Sequence, residues 1–128
     1  MEFQEKRRLL YGKGQEAARA AAGAALLGAG RLADALEYLE RTKGAEPLAE
    51  VRRAAVRAGD FFSLVRACQI LKAEPDAGEF RELAAEAERR ERFYDAVNAL
   101  ERAGEAEKAE ALRQARCPDF RPFRPAGK

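Results

Sequence analysis

The side chains able to do chemistry in this chain are almost all arginines and carboxylates. Its 128 residues include 24 Lys or Arg and 22 Asp or Glu, but no histidine and only two cysteines, Cys68 and Cys117. Without imidazole, nucleophile schemes that use histidine as the base are closed, and the common zinc ligand sets are incomplete. Cys68 falls on an apolar stripe and is far in sequence from Cys117, which marks it as a buried, reduced thiol. The carboxylates alternate with Arg and Lys at helical spacing, so pairs such as Glu37 with Arg41 at i,i+4 are surface support and not an acid–base couple. Gly12-Lys13-Gly14-Gln15-Glu16-Ala17 matches the start of a relaxed dinucleotide fingerprint, yet EKRRLLY precedes it where that chemistry needs a strand. The run from Gly23 to Gly30 lacks the Lys-Ser/Thr of a phosphate loop. These residues point to no enzyme activity, no cofactor and no metal. What remains is arginine, and guanidinium chemistry is recognition of carboxylate or phosphate.

Those arginines must be positioned by helices. The chain is rich in Ala, Leu, Glu and Arg and poor in β-branched residues, which favours an all-α fold. Gly30 to Pro47 holds a complete unit: Leu32, Ala35, Leu36 and Leu39 fall at i, i+3, i+4 and i+7 on one face, with Asp34, Glu37, Glu40 and Arg41 on the other. Gly44 permits a left-handed stop and Pro47 suits the first turn of the next helix. The spacing returns with Phe61, Leu64, Val65 and Cys68 after Gly59, and with Phe93, Ala96, Val97 and Leu100 after Glu91. The starts at Gly30, Gly59 and Glu91 are 29 and 32 residues apart, a period that signals stacked helical hairpins.

Between these units, Gln15 to Leu27 is apolar nearly all round, which predicts a helix enclosed by neighbours, its small side chains admitting close approach. Leu48, Val51, Ala55 and Ala58 form a stripe opposite a basic side of Arg52, Arg53 and Arg57. Asp60 is placed to cap the helix that follows Gly59. Asp76 and Glu79 are spaced as a capping box before Phe80, Leu83, Ala84 and Ala87. After Gly104 comes a short polar helix with Ala109 and Leu112 as its apolar side, suited to the end of a stack. Residues 1–14 read as an arm or short helix, 15–116 as the helical domain and 117–128 as an extended or disordered tail, because Pro118, Pro122 and Pro125 interrupt helix. Its repeated Phe-Arg-Pro would serve as a docking peptide or as a strap over the last helix pair.

Gly23, Leu26, Gly30, Leu32, Ala35, Leu39 and Pro47 together resemble a tetratricopeptide repeat, a helix pair with small and large residues in fixed order. Leu48, Val51, Gly59, Phe61 and Pro75 continue the pattern with Arg52 and Leu64 departing from it. Phe80, Leu83, Ala84, Phe93, Ala96, Leu100 and Ala103 form the third pair, with Glu91 in place of the turn glycine. The resemblance implies a right-handed superhelix of about three hairpins plus a capping helix, with a concave groove for a partner peptide or helix. It places Arg53, Arg57, Arg81 and Arg89 toward that groove as partner-binding residues, facing an acidic segment or a free C-terminal carboxylate. The alternative is that they lie on solvated faces and pair with nearby glutamates.

A net charge of +2 gives no general pull toward nucleic acid or an anionic membrane. The longest uncharged run, Ala20 to Gly30, has 11 residues and is too short to span a bilayer. The N-terminus is too charged for a secretory leader, and the chain reads as cytoplasmic. Two further readings stand beside the adaptor: a nucleic-acid surface if Lys6, Arg7, Arg8 and Lys13 met Arg113, Arg116, Arg121, Arg124 and Lys128, and a homodimer through the Ala-rich first helix.

Overall fold

A computed structural model describes residues 16–28, 30–41 and 46–121. The arm at 1–14, the dinucleotide-like motif apart from Glu16 and Ala17, Gly44 and the tail beyond residue 121 lie outside the described residues. Among those described there are seven helices and no strand: α1 (Glu16–Gly28), α2 (Leu32–Leu39), α3 (Glu46–Ala58), α4 (Phe61–Leu71), α5 (Ala77–Arg89), α6 (Phe93–Arg102) and α7 (Ala106–Arg116). All-α is therefore the observed class. No described helix is long and apolar enough to cross a membrane.

The helices end by one device used five times. Gly30, Gly59, Lys72, Glu91 and Gly104 all have positive φ, from 57° at Lys72 to 81° at Gly104. At each, the N–H of that residue donates three residues back and the next N–H donates five back, as in Gly59 N to Val56 O at 3.2 Å and Asp60 N to Ala55 O at 2.9 Å. These are Schellman closures, which satisfy carbonyls that a helix end leaves open. The units after Gly30 and Glu91 agree further. Arg31 and Arg92 occupy the N-cap with nearly the same backbone, φ −94°, ψ 74° and φ −91°, ψ 70°. Each pairs with an aspartate three residues on, Asp34 at 2.5 Å and Asp95 at 2.7 Å. The α5 start is instead held by the capping box foreseen from sequence: Glu79 N donates to Asp76 Oδ1 at 2.7 Å and Asp76 N to Glu79 Oε1 at 3.0 Å.

Contacts divide the chain into two compact units, and the division crosses α3 and α4. The first unit comprises α1, α2, residues 46–54 and residues 63–73. Its core is Ala35, Leu36, Leu39, Leu48, Val51 and Ala67, with Leu26, Leu27, Ile70 and Leu71 packed against it. Gly23 brings α1 so near α2 that a Cβ there would lie 2.5 Å from Leu39 Cδ2. The outer face of α1 departs from expectation, because Ala21, Ala24, Ala25 and Gly28 are exposed and the helix is not enclosed all round. Alanine and glycine offer little area to remove from water, so leaving them out costs little.

The second unit comprises residues 55–62 and 74–121. Phe61 and Phe80 meet at 6.0 Å between ring centroids, and the Arg102 guanidinium carbon lies 5.9 Å from each ring. Further along, Val97, Ala109 and Cys117 are buried together, flanked by Phe93, Leu100, Leu112 and Phe120. Every stripe position assigned from periodicity on α5 is buried, and so is Ala109 of α7. Asp95 and Asn98 of α6 are buried as well, although the stripe reading leaves them out.

Candidate functional site

The four arginines assigned to partner binding divide between the two units, with Arg53 in the first and Arg57, Arg81 and Arg89 in the second. Arg53 lies on α3 among its own glutamates, Nη2 donating to Glu50 Oε1 at 2.5 Å and to Glu46 Oε1 at 3.1 Å. Those hydrogen bonds, Glu50 first, raise its already high pKa. Arg89, on α5, pairs with Glu86, which also receives Arg90 Nε at 2.9 Å. The two guanidiniums, Arg89 the larger influence, hold the Glu86 carboxyl below its ordinary value. Arg53 and Arg89 are thus exposed and paired with glutamates of their own helices. Arg57 and Arg81 are exposed, and neither guanidinium is ion-paired among the described residues. Beside Arg57 the C-terminal end of α3 is capped from α6's approach, Arg90 Nη2 donating to Arg57 O and Arg92 Nη1 to Ala58 O, both at 3.4 Å.

A different site emerges within the second unit where α6 begins and α7 ends. Glu91 to Asp95 form one wall and Arg116 to Asp119 the other, enclosing an open cleft of about 640 Å³. Arg92 is fixed there by Asp95, with Asp60 at 3.8 Å on its other side. Burial pushes the Asp95 carboxyl up, Arg92 pulls it down and Asp60 pushes it up again. The Arg116 guanidinium carbon stands 5.2 Å over the Phe93 ring, a cation–π arrangement. Tyr94 points outward and stacks on Phe120, centroids 4.4 Å apart and planes 9° apart.

The far wall is tied down by Arg113. Its Nη1 donates to Pro118 O at 2.5 Å while Nε and Nη2 reach Glu110 at 2.9 and 2.5 Å. Arg113, then Gln114, hold the Glu110 carboxyl down at about 2. Phe120 N closes the turn on Cys117 O at 3.0 Å. Cys117 and Phe120, in the opening of the tail, pack against Val97 and Tyr94 of α6. Burial raises the Cys117 thiol above its ordinary value, so it stays protonated at neutral pH and is a poor nucleophile. No group of three or more metal-capable His, Cys, Asp or Glu occurs among the described residues.

This cleft was not foreseen from sequence. Its signal is the doubled aromatic at the start of α4 and of α6, Phe61-Phe62 and Phe93-Tyr94, where the first ring packs inward and the second is left out. Phe62 and Tyr94 are 56% and 59% exposed, the two large apolar side chains left in solvent among the described residues. A stripe count registers the inward ring and passes over its neighbour. Comparison with known proteins adds no family, since the chain matches no family model, no curated protein and no solved structure.

Proposed function

We propose that the chain is a non-catalytic adaptor, a short right-handed superhelix of about three tetratricopeptide-like hairpins ended by α7, which holds a segment of a partner protein in the cytoplasm. The observation that carries this is the recurrence of one backbone unit, a left-handed closure followed by a helix with an inward apolar stripe, at Gly30, Gly59 and Glu91. Units that repeat this way bury their apolar faces on neighbours and leave polar faces for recognition. Arg57 and Arg81 supply guanidiniums not already neutralised, suited to an acidic segment. Arg53 and Arg89 contribute less, because binding there would first displace Glu46, Glu50 or Glu86.

Charge reversal at both sites, Arg57→Glu with Arg81→Glu, is expected to weaken binding of a hexaglutamate probe by about tenfold at low salt without lowering the melting temperature, since exposed pairs add little to stability. Fluorescence polarisation reads the affinity, and an unchanged value overturns this use of the arginines. A second reading rests on the exposed row Ala21, Ala24, Ala25 and Gly28 on α1, a small-residue face able to meet its own copy across a two-fold axis. Sedimentation across a concentration range should then show a mass above the monomer that Ala24→Glu abolishes; a monomer at every concentration excludes it.

A further inference from the structure

We propose that the cleft at the start of α6 is a seat for an arginine or lysine side chain presented by an extended basic segment of a partner protein. The proposal is separate from the arginines suggested above for an acidic segment, and stands independently of them. It rests first on which charges in the cleft are already committed. Of the five charged residues lining it, Arg92 is paired with Asp95, and Arg116 is set against the Phe93 ring. Glu91 and Asp119 are both exposed and make no ion pair among the described residues. The lining thus holds three carboxylates and two guanidiniums, and Glu91 and Asp119 are its carboxylates outside any ion pair.

The second support is an aromatic ring in the same cleft. Tyr94 lines the cleft with one face stacked on Phe120 and remains 59% exposed. A planar guanidinium can lie on an aromatic face while its N–H groups reach carboxylates at the edge, and an ammonium can do the same as a point charge. Phosphate would meet the two unpaired carboxylates here, which disfavours a nucleic-acid strand. A cleft of about 640 Å³ is the size that takes side chains or a small ligand. Glu91 adds a third observation. It lines the cleft and sits at φ 59° in the slot that Gly30 and Gly59 fill elsewhere, a backbone that suits glycine better.

The test titrates the full chain with acetylated, amidated tetra-arginine, tetra-lysine, tetra-glutamate and a single-stranded oligonucleotide, following the Tyr94 ring by NMR at low salt. Tetra-arginine, and more weakly tetra-lysine, should move the Tyr94 resonances. Glu91→Gln with Asp119→Asn should weaken that binding about fivefold, the size expected of two screened, exposed ion pairs. Tyr94→Ala should do the same, its fold being checked by circular dichroism; the amide pair keeps the test alive if that variant unfolds. Unmoved Tyr94 resonances, equal affinity in the amide variant, or preference for tetra-glutamate or the oligonucleotide at this ring would each overturn the proposal.

Discussion

Gly59→Ala is expected to destabilise the protein by about 2–5 kcal/mol, enough to remove much of the stability of a domain this size. Two costs coincide at this position. The backbone is left-handed, with φ 67°, which an L side chain adopts at a penalty of about 1–2 kcal/mol. The added Cβ would also lie 2.7 Å from both the Cα and the N of Ala87, and main-chain atoms of a helix, here the last turn of α5, cannot step aside as a flexible side chain can. Gly104 provides the control. It has the same handedness, φ 81°, but open space around the missing Cβ, so Gly104→Ala should cost only the conformational share, about 1 kcal/mol. Glu91→Gly runs the experiment in reverse and should gain about 0.5–1 kcal/mol, the relief of φ 59° being partly offset by a more flexible unfolded chain. Urea denaturation of the three variants measures the series; equal losses at Gly59 and Gly104 would refute the close approach to Ala87.

The second expected effect is a change of sign. Leu39 is fully buried, and Leu39→Ala should cost about 2–5 kcal/mol through lost transfer energy and the cavity left behind. Gly23→Ala alone should also destabilise, because its methyl would stand 2.5 Å from Leu39 Cδ2 and 2.6 Å from Leu39 Cγ and push a packed leucine from its place. With Leu39 already cut back to alanine the obstacle is gone. There Gly23→Ala should become stabilising by about 1 kcal/mol, the ordinary advantage of alanine over glycine inside a helix. A double-mutant cycle from denaturation midpoints reads the coupling; additive effects would mean that α1 does not approach α2 this closely.

Much of the helical pattern was legible because it rests on local rules. Leu32, Ala35, Leu36 and Leu39 repeat every third or fourth residue, and all are buried. Asp76 and Glu79 carry a capping box in their identities and spacing, and the reciprocal bonds are present. The closures at Gly30 and Gly59 follow from glycine's tolerance of positive φ. Lys72, which closes α4 at φ 57°, carries no such mark, since a lysine at a helix end reads as a favourable charge and not as a turn. The pairing state of the arginines was legible only in part: Glu50 and Glu86, each three residues before its partner, signal what Arg53 and Arg89 would do.

The cleft escaped because it is assembled from distant stretches, Glu91 to Asp95 and Arg116 to Asp119, and no periodicity couples them. Proline at 118 marks where helix stops, but nothing in the sequence shows that Arg113 holds the Pro118 carbonyl or that Phe120 meets Tyr94. A single aromatic after a helix is no guide to which ring it will meet. The exposure of the α1 alanines was missed for the opposite reason, since hydropathy assigns every alanine to the interior while its small area leaves it indifferent.

The interleaving of the two compact units has a practical result for anyone who would divide the protein. Residues 55–62 belong with the stretch from 74 onward, and residues 63–73 belong with the stretch ending at 54. A single scission after residue 73 therefore separates Phe61 from Phe80 and Arg92 from Asp60, pairs that the intact chain keeps together. The halves so produced should behave as incomplete fragments that regain helicity when mixed, a complementation system and not a pair of autonomous domains.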